Sequence, residues 1–316
     1  MKGGKLILKQ FYLESLGHAS YLVGSEESGE ALILDPQRDV NGYFEEAQSR
    51  ELRIRYVADT HQHNDYVSGI CEFAPRADIQ LLSGARAELG YVTRRRLKDR
   101  ERFEMGEVVF EVLHTPGHTP EHIGLLLIDR SRGEEPCIFL SGGSLLVGDV
   151  ARPDLLGNRE ETEKHAAGLC RTLQEKILKL PDYVEVYPTH VAGSLCGGSI
   201  GSRLSTTVGY ERRMNKLLAT LGSEENFVAN CLTLDNLPAV PPYWKRMRKT
   251  NQEGPVPLGT LAEPPALPAD EFERLSKAGA SILDCRSAGS VRRSHSGSDQ
   301  CRSRRIISNL GGHSAS

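Results

Sequence analysis

Short apolar-rich runs alternate with polar turn residues over residues 1–190, and this pattern predicts a mixed α/β protein. Such runs are typical of strands, and apolar residues at helical spacing predict helices between them. The predicted strands are Phe11–Val23, Ala31–Leu34, Ile54–Ala58, Ile79–Leu82, Val108–Leu113, Ile123–Ile128, Cys137–Leu140 and Val184–Val186, and the predicted helices are Tyr43–Arg50 and Glu160–Leu180. Many strands with helices outside them favour two sheets packed face to face and covered by helices.

The pattern changes after Asn236, where prolines become frequent. The Pro-rich segment at residues 254–268 predicts a linker, so we assign residues 1–253 to a first domain. Residues 269–286 look like the start of a second α/β domain, with a helix at Asp270–Ala278 and a buried strand at Ser281–Arg286. Residues 287–316 are rich in Ser and Arg without apolar periodicity, which predicts a disordered tail.

The composition is that of an ordinary soluble protein, with 39% hydrophobic and 26% charged residues in a chain of 316. A formal net charge of -3 provides no field that would attract nucleic acid or an anionic membrane. We find neither a secretory signal pattern nor an apolar stretch of membrane-spanning length, so a cytoplasmic location is expected. The seven cysteines form no CxxC pair, which favours reduced thiols.

Candidate metal chemistry begins in the run Thr60–Tyr66, which reads Thr-His-Gln-His-Asn-Asp-Tyr directly after the apolar run ending at Ala58. Two imidazoles and a carboxylate at alternating positions after a buried strand would point His61, His63 and Asp65 toward one place. The competing interpretation is a solvated turn, because His and Asp are common in loops.

Two further histidines favour the metal site over the turn. His118 follows the predicted strand Val108–Leu113 in a tight Thr-Pro-Gly-His-Thr turn, and His190 follows Val184–Val186 in a Tyr-Pro-Thr-His run. Three strand ends that each deliver histidine to a loop predict that the side chains converge.

The motifs together resemble those of the metallo-β-lactamase superfamily, and within it the persulfide dioxygenase group that is often fused to rhodanese domains. The resemblance implies an αββα sandwich with the metal at the edge between the two sheets. It is carried by residues 60–65, 115–119, 147–155, 188–190 with 193–194, 209–213 and 241–244.

The resemblance also implies a chemistry. In that group one Fe(II), held by two His and one Asp with open positions, binds a thiol persulfide and dioxygen and yields sulfite and the free thiol. Matching by position makes His61 and His118 the iron-binding histidines. His63 and His190 line the same pocket as further candidate metal ligands, and Asp65 is the candidate catalytic residue beside the metal.

Glutathione, or another low-molecular-weight thiol carrying the persulfide, is the implied partner of this site. The segment from Ser194 to Arg213 would hold this carrier, with Ser194, Tyr210 and Arg213 as candidate binding residues. Arg213 can pair with a carboxylate of glutathione, although an ordinary surface arginine is the alternative interpretation. Assembly of identical chains is left open.

Two departures from the family pattern bear on the metal. Gly143 stands where the family has the Asp that ligates the ion, and Tyr66 stands where dimetal members have a fourth His. We therefore expect at most one tightly held ion, with iron held more weakly than usual and zinc as the alternative. Water or Asp65 would fill the vacant ligand position.

The C-terminal piece resembles the opening of a rhodanese domain, which normally continues into a Gly-His-Ile-Pro-Gly segment and a later catalytic Cys. That continuation is missing after Arg286. A nucleotide sequence that encodes residues 293–302 can, however, encode the Gly-His-Ile-Pro-Gly segment when it is read in another frame. We hypothesise a frameshift, in which case Cys285 and Cys301 are not rhodanese nucleophiles. The nucleotide sequence tests this hypothesis.

Three functions follow as alternatives from the sequence. The first is an iron-dependent persulfide dioxygenase. The second is a thioester hydrolase of the glyoxalase II type, in which a metal lowers the pKa of water. The third is a metal-poor homologue without catalytic activity, for which Gly143 and Tyr66 are the grounds.

Overall fold

The computed structural model describes residues 5–93, 95–233, 237–259 and 266–281, together with the two-residue strands Leu283–Asp284 and Asp299–Gln300. The chain forms two compact units. The first contains residues 1–240 and 244–256, and the second contains residues 241–243 and 257–316.

The first sheet of the larger unit has six strands, in the order β1 to β6. Strands β1 to β3 pair antiparallel, and β3 to β6 pair parallel. The strands are β1 (Leu6–Leu13), β2 (His18–Ser25), β3 (Glu30–Leu34), β4 (Arg53–Ala58), β5 (Gln80–Gly84) and β6 (Arg95–Leu97). Helix α1 (Asn41–Ser49) connects β3 to β4, and a 3-10 turn (Ile70–Phe73) lies between β4 and β5.

The second sheet also has six strands, in the spatial order β12-β11-β10-β9-β8-β7. Its strands are β7 (Arg102–Met105), β8 (Val108–His114), β9 (Ile123–Asp129), β10 (Pro136–Gly142), β11 (Glu185–Pro188) and β12 (Thr206–Thr207). Strand β11 joins β10 in parallel after the long crossover that contains helix α2 (Arg159–Glu175). Helices α3 (Val208–Met214), α4 (Glu224–Leu232) and α5 (Trp244–Glu253) follow.

Three apolar clusters establish the layer order. The central cluster joins both sheets, with Tyr21 and Leu34 from the first packing with Phe110 and Leu125 from the second. A second cluster packs α2 and α4 against the outer face of the second sheet, and a third packs α1 and the 3-10 turn against the outer face of the first. The larger unit is therefore the helix-sheet-sheet-helix sandwich that the sequence pattern predicts.

The predicted strand Phe11–Val23 is wrong in one respect, because it spans two strands and the turn between them. Leu16 N–H donates to the carbonyl of Leu13, and Gly17 adopts a positive φ of 60°. A Cβ at residue 17 would lie 2.0 Å from the backbone nitrogen of Ser194. Glycine therefore allows β2 to start beside the loop that carries Ser194.

The smaller unit contains helix α6 (Ala269–Lys277) and the parallel pair of β13 (Leu283–Asp284) with β14 (Asp299–Gln300). The helix and β13 lie where the sequence predicts a helix and a strand, while β14 lies within the segment predicted to be disordered. Cys285, Cys301 and most of residues 287–316 lie outside the described residues. In the described part of the chain, no helix is both long and apolar enough to cross a membrane.

Candidate metal site

Three buried histidines meet at one edge of the sandwich. His61 follows β4 of the first sheet, whereas His118 and His190 follow β8 and β11 of the second. Their side chains are almost completely buried, and one ring nitrogen from each lies within 4.8 Å of the other two. The loops after the three strands therefore bring together nitrogen ligands from distant parts of the chain.

Outer hydrogen bonds set the tautomer of His61 and His118. Thr60 Oγ1 donates to the carboxylate of Asp35, so its oxygen accepts from His61 Nδ1, at 2.8 Å. His118 Nδ1 donates to the carbonyl of Arg152 at 3.1 Å. Because Nδ1 carries the proton in both rings, Nε2 of each presents a lone pair.

His190 is oriented in the same way. Its Nδ1 lies 3.4 Å from Asp65 Oδ2 and 3.5 Å from Ser194 Oγ, while its Nε2 lies 3.3 Å from His61 Nε2. Because the Nδ1–H of His190 is directed at the Asp65 carboxylate, the Nε2 atoms of His190 and His61 each present a lone pair to the other at 3.3 Å. A cation between the nitrogens turns this repulsion into attraction, so the donor set fits one divalent metal ion.

The electrostatics keep these ligands available for a metal. Burial, with smaller contributions from neighbouring histidines, lowers the pKa of His61 and His118 well below the usual value. Both imidazoles are therefore neutral at pH 7, as metal binding requires.

His63 lies in a second cluster behind the first. Its Nε2 is 3.1 Å from Asp35 Oδ1, and its ring forms a group with the carboxylates of Asp35 and Asp59. Burial alone would lower the pKa of His63, but the Asp35 carboxylate raises it. His63 therefore faces the carboxylates, rather than the group of His61, His118 and His190 with which the sequence associates it.

Asp65 lies beside the three histidines, in a group with His190 and Cys196. Although burial opposes ionisation, His190 and His63 hold the pKa of Asp65 below its usual range, so the carboxylate stays charged. Its Oδ2 lies 3.4 Å from His190 Nδ1. Cys196 is a buried thiol whose pKa is raised by burial and by Asp65.

The predicted substrate residues fall in two places. Ser194 contacts His190 and lies in the site. Tyr210 and Arg213 lie on α3, where the ring of Tyr210 stacks under the guanidinium of Arg203 at 4.0 Å. Arg213 donates to the carboxylate of Asp182 at 2.9 Å, so its charge already has a partner.

Residue 143 has no room for a side chain. A Cβ at Gly143 would lie 2.6 Å from Cδ2 of the His118 ring. The Gly143 N–H donates to His122 Nε2 at 2.8 Å, and His122 Nδ1 donates to Thr115 Oγ1 at 2.7 Å. The ring of His118 thus occupies the space into which the side chain of an Asp at 143 would extend.

Tyr66 packs against a further buried imidazole. The ring centroids of Tyr66 and His18 are 4.1 Å apart, and the Tyr66 hydroxyl donates to the carbonyl of Asp35. Neither nitrogen of His18 has a hydrogen-bond partner among the described residues.

Sequence reasoning missed Asp35, His122 and His18 as parts of the site. Asp35 directly follows the apolar strand β3, and its φ is positive, at 52°. A charged residue at the end of an apolar strand was the sequence signal that could have identified it. His122 and His18 gave no such signal, because a single histidine within or beside a strand does not by itself indicate a functional site.

No family model matches this chain. The bovine protein described as "Persulfide dioxygenase ETHE1, mitochondrial" is 29% identical over 233 residues, covering 71% of this chain and 80% of its own length. A hydroxyacylglutathione hydrolase from Polaromonas sp. (strain JS666 / ATCC BAA-500) is 32% identical over 178 residues, covering 54% of this chain and 61% of its own length.

The solved structure of a metallo-β-lactamase from Staphylococcus aureus subsp. aureus COL superposes with a TM-score of 0.81 at 31% identity, covering 98% of this chain and 88% of that one. The chain belongs to the metallo-β-lactamase superfamily. Its relatives are described as enzymes, and the three-histidine group supports a metal cofactor in this member of the superfamily.

Proposed function

We propose that this protein is a metal-dependent enzyme of sulfur metabolism that oxidises the persulfide of glutathione or of a similar thiol. In the overall reaction one persulfide, one dioxygen and one water give one thiol, one sulfite dianion and two protons. The observation that carries the proposal is the convergence of His61, His118 and His190 with their Nδ1 atoms bonded outward. The similarity to the bovine persulfide dioxygenase supports the reaction.

One Fe(II) ion is the proposed cofactor, with zinc as the alternative. When bound by the three imidazoles, such an ion supplies Lewis-acid chemistry, and iron also supplies the one-electron chemistry that dioxygen requires. Three neutral imidazoles leave the full +2 charge on the ion, whereas a carboxylate would reduce it. We therefore propose that iron is held less tightly here than in a site with two His and one Asp.

The chain's own residues then have distinct roles. Asp65 accepts the Nδ1–H of His190 and stays charged, so it holds the ring with its Nε2 lone pair free for a metal. Asp35 holds Thr60, which in turn holds His61. These groups are buried, which limits the access of bulk water.

The substrate side of the proposal assigns Ser194 to the site itself and Tyr210 and Arg213 to the carrier. For Arg213 to bind a glutathione carboxylate, it must exchange its ion pair with Asp182. Because that pair is exposed, the exchange costs little, on the order of 0–1 kcal/mol.

Thioester hydrolysis of the hydroxyacylglutathione type is the second candidate. The neutral three-imidazole donor set favours it, because such a set suits zinc and the lowering of the pKa of a bound water. The similarity to the hydroxyacylglutathione hydrolase from Polaromonas also supports it. Both candidates act on a glutathione-linked sulfur.

The test combines metal analysis of the purified protein with two assays. We expect one equivalent of iron and oxygen uptake with glutathione persulfide in the iron-loaded protein. Thioester cleavage by the zinc-loaded protein without oxygen uptake would select the second candidate. A protein that retains no transition metal after loading would contradict both and leave the metal-poor homologue.

A further inference from the structure

Helix α5 contacts the histidine loop although the two are far apart in sequence. The loop Gln62–Ser68 has no regular secondary structure, so its backbone groups need partners from elsewhere. Both the loop and the helix belong to the larger unit. The contacts between them are made by the side chain of Asn251, only 4% of whose surface is exposed.

Both the amide nitrogen and the amide oxygen of Asn251 form hydrogen bonds with backbone groups of the loop. Its Nδ2 donates to the carbonyls of His63 and Tyr66, at 2.9 and 2.8 Å. Its Oδ1 accepts from the N–H of Ser68 at 2.9 Å. One side chain therefore fixes three backbone groups on both sides of Asp65.

A second connection from the same helix reaches the other end of the loop. Arg248 lies 3.5 Å from Oε2 of the buried Glu121, and Oε1 of Glu121 accepts from the N–H of Gln62 at 2.9 Å. Gln62 stands between His61 and His63. The helix thus holds the loop directly after Asp65 and, through Glu121, directly after His61.

We propose that Asn251, assisted by Arg248 through Glu121, is a positioning residue that sets the placement of His61 and Asp65 for metal binding. This inference rests on the proposed metal site. The carboxamide fits the role because it offers two donors and one acceptor to two carbonyls and one N–H, which no other side chain of its size can match.

Cobalt(II) binding and amide exchange test the proposal in the full-length protein. Asn251→Leu removes all three hydrogen bonds, and Asn251→Asp keeps the acceptor but turns a charged oxygen toward two carbonyls. The control is Lys249→Ala, on the exposed face of the same helix. We expect both Asn251 variants to bind Co(II) at least tenfold more weakly, with a shifted visible spectrum, and the control to match the parent.

Amide hydrogen exchange of the peptide that contains residues 61–68 is the metal-independent measurement. We expect faster exchange in both Asn251 variants, and a smaller acceleration in Arg248→Met, which remains informative if the Asn251 variants do not fold. Folded Asn251 variants with the parent's Co(II) affinity and exchange would overturn the inference. If the parent binds no Co(II), the proposed function fails separately, and unchanged exchange at residues 61–68 would still overturn this one.

Discussion

The tautomer of each of the three histidines depends on the partner of its own Nδ1 atom. Each imidazole uses Nδ1 for an outer partner, so the Nε2 atoms remain as ligands. The outer partners are a threonine hydroxyl, a backbone carbonyl and a carboxylate, and only the last carries charge. Asp65 is thus the outer partner whose removal changes the charge of the site.

Asp65→Asn should weaken metal binding. The carboxamide keeps the shape but loses the charge that orients His190, and partners of this kind usually contribute a factor of about 10–100 in affinity. Competition with a chromophoric chelator measures the change. Asp78→Asn, at an exposed carboxylate, is the control, and equal affinities for the two variants would contradict the role of Asp65.

Gly143 allows a second prediction for a single residue. Gly143→Ala adds only the Cβ that meets the His118 ring, so we expect it to displace that ring and weaken metal binding about tenfold or more. Gly143→Asp adds the same Cβ together with a carboxylate, so it should bind metal more tightly than Gly143→Ala.

The same chelator competition compares the two variants at residue 143 with the parent. If Gly143→Ala binds the metal with the parent's affinity, the ring of His118 can move aside without weakening metal binding, which would contradict the prediction. An aspartate variant no tighter than alanine would show that the carboxylate does not reach the metal.

Among the secondary-structure elements, helix α2 packs against the outer face of the second sheet, and its N-terminus is exposed. Asn158 accepts from the Glu161 N–H, and Glu161 accepts from the Asn158 N–H, which together form a capping box. Leu169 and Leu173 from the same helix are fully buried against the sheet. The cap and the apolar face therefore stabilise α2 independently.

Asn158→Ala should lower the free energy of unfolding by about 1 kcal/mol, because the Glu161 N–H loses its partner. Urea denaturation measures this loss. Arg159→Ala, at the neighbouring exposed side chain, should change stability by less than about 0.5 kcal/mol. Metal affinity should stay at the parent's value in both variants, and a loss of affinity in Asn158→Ala would mean that the cap also supports the site.

The order of elements was largely predictable, since periods of two and of 3.6 residues are local properties. The strands at Ile54–Ala58 and Val108–Leu113 and the helix at Asp270–Ala278 lie within one residue or so of their predicted bounds. The split of Phe11–Val23 was not predictable, because its turn depends on Gly17 packing against Ser194. The short strands β6, β7 and β12 were missed, since each is too short to show a period.

For the molecule as a whole, metal binding and folding should be linked. A ligand present at about 100 times its dissociation constant stabilises the folded state by about 2.7 kcal/mol. We therefore expect removal of the metal by a chelator to lower the melting temperature and re-addition of Co(II) to restore it. A melting temperature unaffected by both treatments would contradict a metal held in the folded state alone.

The metal-free protein should also respond to pH through His18. Burial lowers the pKa of His18 to about 3, whereas the unfolded chain protonates it near 6.5. Between these values the unfolded state binds more protons, so stability falls as the pH falls, by about 1.4 kcal/mol per pH unit. His63, whose pKa is raised, acts with the opposite sign.

His18→Leu isolates this contribution. Its stability relative to the parent should increase by about 1.4 kcal/mol for each pH unit below 6.5, because only the parent loses stability through this group. Chemical denaturation of the metal-free proteins at pH 7.5 and pH 5.5 measures the difference. A constant difference between the two proteins would mean that His18 has the same pKa in the folded state as in the unfolded chain.

The sequence by itself determined the α/β class, the strand ends that carry His61, His118 and His190, and the departures at Gly143 and Tyr66, because these depend on local periodicity and residue type. The tertiary structure decided which ring nitrogens converge, that His63 turns to Asp35, and that Asn251 holds the loop. Those arrangements join residues from 28 to 188 positions apart, and only the packing of the two sheets and their covering helices brings such residues within hydrogen-bonding distance.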